Sequence, residues 1–371
     1  MLSRKKKIAI VGAGNAACIT ALHYYYHGQN YGRNLFDRIA IYHDPSLPIE
    51  RVGQGTTLAV PRLFFNALGI DWYNQSDFLK GTRKDGILYE NWGKKSERFF
   101  HPFSLNTCSI HYVPQLLSKL ILNCGLFDVV EKNIQNPEEE IDADYIFDCR
   151  GRHNRNEDLY ENLINPLNSV ILGRENTPDP NLHYTKCVAT PDGWTFVIPN
   201  HDSISYGYIF NNTITDKKDA AKNLIDMFGI IPDGHLQFQN YIAKNFFEGE
   251  RTILNGNRGS FLEPLEATSV WFYNKVCRYT WNHIVDGASK EVCNQEIIKE
   301  MIRIQNFVLW HYQFGSKFDT PFWNYAKSLH FSPDEEFNTI FSGVKNNEIL
   351  NPNIQYAQWG TFSFKNWIEN T

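Results

Sequence analysis

The stretch Ile8-Ala9-Ile10-Val11-Gly12-Ala13-Gly14-Asn15-Ala16-Ala17 decides the fold. Ile8–Val11 is short, apolar and rich in β-branched residues, which predicts a buried strand. A glycine turn follows, and from Cys18 the run CITALHYYYHG keeps helical spacing to a predicted stop at Gly28. Gly12 makes the tight turn, Gly14 lets the backbone approach a pyrophosphate, and Ala17 is small enough for close helix–strand packing. The helix N-terminus then offers free N–H groups to phosphate oxygens, and Asn15, Ala16 and Ala17 before it are expected at the cofactor. A second predicted strand, Arg38–Tyr42, ends at the turn His43-Asp44-Pro45 and completes a βαβ unit. Such units carry an acidic residue for the ribose after the second strand. Here His43 stands at that place and Asp44 one step later, and either can reach a ribose. The alternative is a plain glycine turn, and the strand before it and the helix after it favour the dinucleotide.

Working outward, VPQLLSKLILNCG predicts a helix from Val113 to a stop at Gly125, and Tyr145–Cys149 a strand of a buried parallel sheet. Glu138–Glu140 reads as a solvated turn. Short strands dominate from Tyr184 to Phe210, broken at Asp192-Gly193 and Asn200–Ser203, and predict an antiparallel sheet grafted onto the first part. A helix near Asp216–Phe228 ends at Gly229, with Thr215 as its N-cap. Ile297, Met301, Ile304, Val308 and His311 share one face of a long late helix. With no internal repeat and no Gly/Ser linker, one compact unit over 1–371 is predicted.

The 371 residues are 42% hydrophobic and 21% charged, which excludes global disorder, and the 15% of aromatics can fill a core and still line a pocket. A net charge of −5 argues against nucleic-acid binding. The basic run Arg4 to Lys7 reads as a solvated tail. No apolar stretch approaches the ~18 residues of a membrane span, so no membrane association is expected. Ile8–Val11 is too short for a signal-peptide core. Seven scattered cysteines with no Cys-x-x-Cys pair fit a reducing cytoplasm, with neither a disulfide framework nor a metal site.

Further segments follow the fingerprint in a fixed order: VGQGT at Val52–Thr56, KDGILYENW at Lys84–Trp92, DYIFDCRG at Asp144–Gly151, GWTFVIP at Gly193–Pro199, FLEPLEATS at Phe261–Ser269 and HYQFGSKFDTPFW at His311–Trp323. This order resembles the flavin-dependent halogenases of the tryptophan-halogenase type and reaches both ends of the chain. The resemblance implies an α/β fold: an FAD-binding Rossmann-like domain of the flavin monooxygenase type, with an inserted antiparallel sheet and a largely helical substrate region. FAD-binding parts are then expected at about 1–60, 140–160 and 255–290, the substrate and aromatic region at about 61–139 and 161–254, and a helical C-terminal region at 291–371.

The resemblance further implies that reduced FAD from a separate reductase, oxygen and halide give hypohalous acid, which a lysine directs onto an electron-rich ring. It places this chemistry on Lys84, with Glu266 near the substrate, halide on the amides of Thr268 and Ser269, and Val270 against the flavin. Gly53, Gln54, Gly55 and Asp148 join Gly12, Gly14, Asn15, Ala16, Ala17 and His43 as cofactor contacts. Trp194, Phe196, Ile198 and Pro199 line the tunnel, and His101 and Phe103 wall the substrate.

Physical chemistry supports the same roles. An ammonium with three donors can polarise hypohalous acid, or take halogen on nitrogen where burial favours its neutral form. A carboxylate can stabilise the cationic ring and accept the proton it loses. On composition alone Lys84, between Arg83 and Asp85, is a solvated surface lysine, and the motif around it reverses that reading. Pro264 makes a loop of FLEPLEATS, so Glu266 alone is read as functional and Glu263 as structural. The aromatic run Phe99–Phe103 is otherwise simply core.

Two residues depart from the family pattern: Phe196 stands for a second tryptophan and Ser269 for glycine. Both touch halide handling and point to bromide or iodide. Segments shorter than the tryptophan enzymes' imply a more open pocket, so phenols and indoles are expected before free tryptophan. A flavin monooxygenase or epoxidase on this fold, or a non-catalytic flavin-binding protein, is the alternative, and homo-oligomerisation stays open.

Overall fold

A computed structural model describes residues 4–29, 34–49, 54–72, 74–103, 107–152 and 156–371. Where the sequence predicts a single unit, contacts group the chain into two compact units: 1–83, 109–162 and 241–298, and 84–108, 163–240 and 299–371.

The first unit holds a six-stranded sheet in the order Phe247–Glu248, Thr252–Leu254, Tyr145–Asp148, Ile8–Val11, Ala40–His43, Asp128–Glu131. All pairs are parallel except the outermost one, Phe247–Glu248 with Thr252–Leu254. Ile8–Val11 is buried throughout, as a central parallel strand must be. Ala9, Val11 and Ile146 pack on Ile134, Ile141 and Ala143. The fingerprint helix Asn15–Gln29 runs beside the helix Thr268–Ile284, with Tyr24 Oη 2.9 Å from Thr280 Oγ1.

Local expectations shift in three places. Gly28 does not stop the first helix, which continues to Gln29; a Cβ on Gly28 would meet the Phe36 ring at 2.5 Å, so glycine serves close packing there. The second strand lies later than predicted, at Ala40–His43. The acidic run is a short helix, Pro137–Glu140: Glu138 accepts from the amides of Arg251 and Thr252, and Glu140 from those of Gln135 and Asn136.

The second unit holds a seven-stranded sheet in the order Pro232–Gln237, Ser169–Glu175, Ile204–Phe210, Gly193–Pro199, Thr185–Thr190, Gly86–Glu90, Arg98–Pro102. It is antiparallel but for the pairing of Thr185–Thr190 with Gly86–Glu90. The helix Lys217–Phe228 lays Ala220 and Leu224 on Ile171, Tyr208 and Phe210. Its N-cap is Asp216, not Thr215, whose hydroxyl donates to Asp192 instead. Gly229 ends this helix in the left-handed conformation, as predicted.

Helical chain from Lys299 onward then builds an aromatic core. Phe307 stacks on Trp359 at 3.9 Å, and Trp367 lies 3.9 Å from His311 and 4.7 Å from Tyr89. The predicted face of the long helix Lys290–Phe314 is buried at Ile297, Met301, Ile304, Val308 and His311. Among the described residues the seven cysteines form no disulfide, and no helix is long and apolar enough to cross a membrane.

Candidate active site

In the first unit the fingerprint forms a cradle. Gly12 has φ +123°, and a Cβ there would come within 2.7 Å of the Cys149 carbonyl oxygen. Gly14 is the opposite case: a Cβ on it would meet no protein atom within 4 Å. The turn is therefore closed toward the sheet and open on the side from which a ligand approaches. Asn15, Ala16 and Ala17 open the helix, where amides have no intrahelical acceptor. The tightest small-residue contact is made by Ala16 rather than Ala17: a Cβ on Gly256 would lie 2.4 Å from that of Ala16. The side-chain oxygen of Asn15 accepts the Tyr112 hydroxyl at 2.7 Å. These residues fit a dinucleotide such as FAD.

His43 ends the second strand half-buried, while Asp44 accepts the amide and hydroxyl of Ser46 and so belongs to the turn. The strand Gln54–Gly55 pairs with Ser109–Tyr112; Gly53 lies outside the described residues. Asp148 is buried at the end of its strand, with Arg150 donating to both of its oxygens and Arg258 at 3.0 Å. Its carboxylate thus holds two guanidiniums.

The segment FLEPLEATS forms a buried turn. Glu266 (φ +70°) and Ala267 (φ +53°) adopt the left-handed conformation in succession, a region that costs a non-glycine residue about 1 kcal/mol or more. The two glutamates therefore do not share a helical face, and both are buried, Glu263 fully and Glu266 to 5% exposure. The turn delivers the chain into the helix Thr268–Ile284, whose first amides no side chain caps. Thr268, Ser269 and Val270 occupy that first turn, a place that favours an anion. Val270 is buried.

In the second unit Lys84 has 0% exposure, whereas Arg83 before it is exposed. The surface reading of Lys84 is thereby excluded. Its Nζ lies 5.6 Å from the centre of the Phe103 ring, a cation–π distance. Phe103 is held there because its amide donates to the Asp85 carbonyl at 2.8 Å, extending the pairing of Gly86 with Pro102. His101 sits one register step on, opposite Ile87, and is half-buried. Of the aromatic run, Phe99 is core, stacked on Tyr89 at 5.1 Å, and Phe100 is exposed.

On the strand Gly193–Pro199, Trp194, Phe196 and Ile198 point to one face by alternation, and all four residues expected to line the tunnel, with Pro199, are buried. Phe196 faces Gly207 across the pair, and a Cβ on that glycine would meet the ring at 2.1 Å. Several supporting residues escape sequence reasoning: Tyr112, Arg150, Arg258, Gly256, Gly207 and Ser363. Gly207, inside the strand run ISYGYIF, carried a usable signal, because an interior strand glycine marks a close approach.

Comparison with known proteins agrees with this fold. The fold recurs in BrvH, a flavin-dependent halogenase from Brevundimonas sp. BAL3 (TM-score 0.82, 17% identity, 99% of this chain and 90% of that one). It recurs also in Xcc4156, a flavin-dependent halogenase from Xanthomonas campestris (TM-score 0.81, 16% identity, 99% and 89%). In sequence, the tryptophan 6-halogenase ThaL of Streptomyces albogriseolus is 21% identical over 89% of this chain and 80% of its own length. The family model for tryptophan halogenase matches residues 7–118 and 127–369, taking in the cradle, the Lys84 strand and the Glu266 turn alike. With nearly every element of both units inside that match, the chain belongs to the tryptophan halogenase family of flavin-dependent enzymes.

Proposed function

We propose that the protein is a flavin-dependent halogenase acting on a small electron-rich aromatic, with reduced FAD supplied by a separate reductase. The observation that carries this reading is Lys84, fully buried beside Phe103. A buried ammonium costs several kcal/mol unless its surroundings compensate, on the order of a sizeable part of a protein's stability.

Bound reduced FAD would give two electrons and two protons to oxygen, the oxidant of halide, so that reduced FAD, oxygen, halide and a proton would yield FAD, hypohalous acid and water. Gly12 and Gly14 admit the pyrophosphate to the amides of Asn15, Ala16 and Ala17, and His43 reaches the ribose. Gln54, Gly55 and Val270 flank the cofactor. Asp148 acts by fixing Arg150 and Arg258. The amides of Thr268 and Ser269 hold the halide.

Trp194, Phe196, Ile198 and Pro199 keep the route to the substrate apolar, which limits loss of hypohalous acid to water. Lys84 donates a hydrogen bond to the hypohalous oxygen and so makes the halogen electrophilic. The ring, walled by His101 and Phe103, attacks the halogen while the oxygen leaves toward water. Glu266 stabilises the cationic ring and takes the proton from the substituted carbon. Aromatic C–H and hypohalous acid thereby become aryl halide and water.

The test is incubation of the protein with FAD, a flavin reductase, NADH, bromide and phenol or indole. A halogen mass shift is expected. Hydroxylated product would replace this reading with a monooxygenase, and flavin binding without turnover with a non-catalytic role.

A further inference from the structure

The mechanism leaves out the C-terminal helix, Thr361–Asn370. Within the second unit it is fastened along the chain that leads into the pocket wall. Ser96 donates its amide to the Asn370 carbonyl at 3.0 Å, Lys95 reaches the Ile368 carbonyl at 2.7 Å, and Asn366 donates to the Phe100 carbonyl at 3.1 Å. Trp367, fully buried, packs edge-on against the stacked rings of Tyr89 and Phe99, at 4.7 and 5.1 Å. At the end of this row Ser363, itself buried, places its hydroxyl 3.1 Å from Nε2 of His101. Phe362 lies 5.8 Å from the same ring.

We propose that Ser363 is a positioning residue: from the C-terminal helix it fixes the ring plane of His101 and thereby the orientation in which the aromatic substrate lies. The proposal rests on the halogenase reading for its substrate and on geometry for its contact. The χ2 of an imidazole is a broad torsion with little intrinsic preference. A hydroxyl at one ring nitrogen favours the ring orientations that keep that contact. The remaining fastenings of the helix do not involve Ser363, so its loss leaves the fold standing.

The experiment compares the wild type, Ser363→Ala, Ser363→Thr, His101→Ala and the Ser363→Ala/His101→Ala double variant. Side-chain 15N spectra of His101 are recorded, and indole bromination is followed. Ser363→Ala is expected to shift the His101 Nε2 resonance, change the ratio of bromoindole isomers and raise KM about three- to tenfold with kcat nearly unchanged, the worth of one ordinary hydrogen bond. Ser363→Thr restores all three, and the double variant matches His101→Ala alone. An unshifted Nε2 resonance in Ser363→Ala overturns the contact. A shifted resonance with unchanged isomers and KM overturns the positioning role. A wild type that binds FAD but brominates nothing defeats the halogenase reading instead, and the resonance still decides the contact.

Discussion

The Phe196 ring lies against Gly207 of the neighbouring strand so closely that a methyl group on the glycine would come within 2.1 Å of the ring. The place of the Phe196 ring is therefore set by a residue that presents no side chain. Gly207→Ala should cost about 1–3 kcal/mol in urea denaturation, the usual penalty of overpacking. In a Phe196→Ala background the same change should cost less than about 0.5 kcal/mol, because the clash is gone. Equal costs in both backgrounds would show that the ring is not what the glycine accommodates.

The cradle separates two glycines by purpose. Gly12→Ala must strain a backbone at φ +123° and strike the Cys149 carbonyl, so it should unfold at lower urea. Gly14→Ala adds a methyl group into open space and should leave stability within about 0.5 kcal/mol. It should nonetheless weaken FAD binding at least about tenfold, measured by flavin fluorescence, because the backbone can no longer approach the pyrophosphate.

Lys84 offers a test of function against stability. Lys84→Met keeps the apolar stem and removes the ammonium, so circular dichroism should show the fold retained. Halogenation should fall more than about a hundredfold, the scale on which one electrostatic contact to the reacting atoms matters. FAD binding and hypohalous acid formation should survive. Loss of all three together would mark the residue as structural.

In the proposed mechanism Phe196 and Ser269 bear on the halide. Bromide and iodide turnover should exceed chloride turnover at equal concentration, and chloride-dominant rates would refute this. Replacing Ser269 with glycine should move the preference toward chloride.

His23 gives a pH prediction. It is buried in the first helix, with Nδ1 2.9 Å from the side-chain oxygen of Asn274. Burial, reinforced by His27 and then Arg278, lowers its pKa from 6.5 to about 3. The folded state thus keeps the ring neutral where the unfolded chain would take up a proton. Its contribution to stability is present above pH 6.5 and is lost as pH falls toward 3. The loss should approach about 1.4 kcal/mol per pH unit within that window. His23→Gln should flatten this part of a stability–pH profile; an unchanged slope would assign it to other groups.

The βαβ opening was legible because glycine spacing and β-branched runs encode local geometry directly. The same holds for the Gly229 stop and the loop at Pro264. The N-cap slipped by one residue because Thr215 and Asp216 are both good acceptors, and only Asp192 decides which is free to cap. Gly28 misled because a helix-stopping glycine and a close-packing glycine look alike until Phe36 is placed. The burial of Lys84 was invisible to composition, since it depends on chain far from its own neighbours. Ser363 was invisible for the same reason, being 262 residues from His101.

The left-handed pair at Glu266 and Ala267 limits which amino acids can be exchanged there. Asparagine visits that region more readily than most side chains, so Glu266→Asn can remove the negative charge while preserving the path of the chain. Alanine or glutamine at that position would confound the two effects. Directed evolution at the turn should accordingly draw on a narrow alphabet of glycine, asparagine and aspartate.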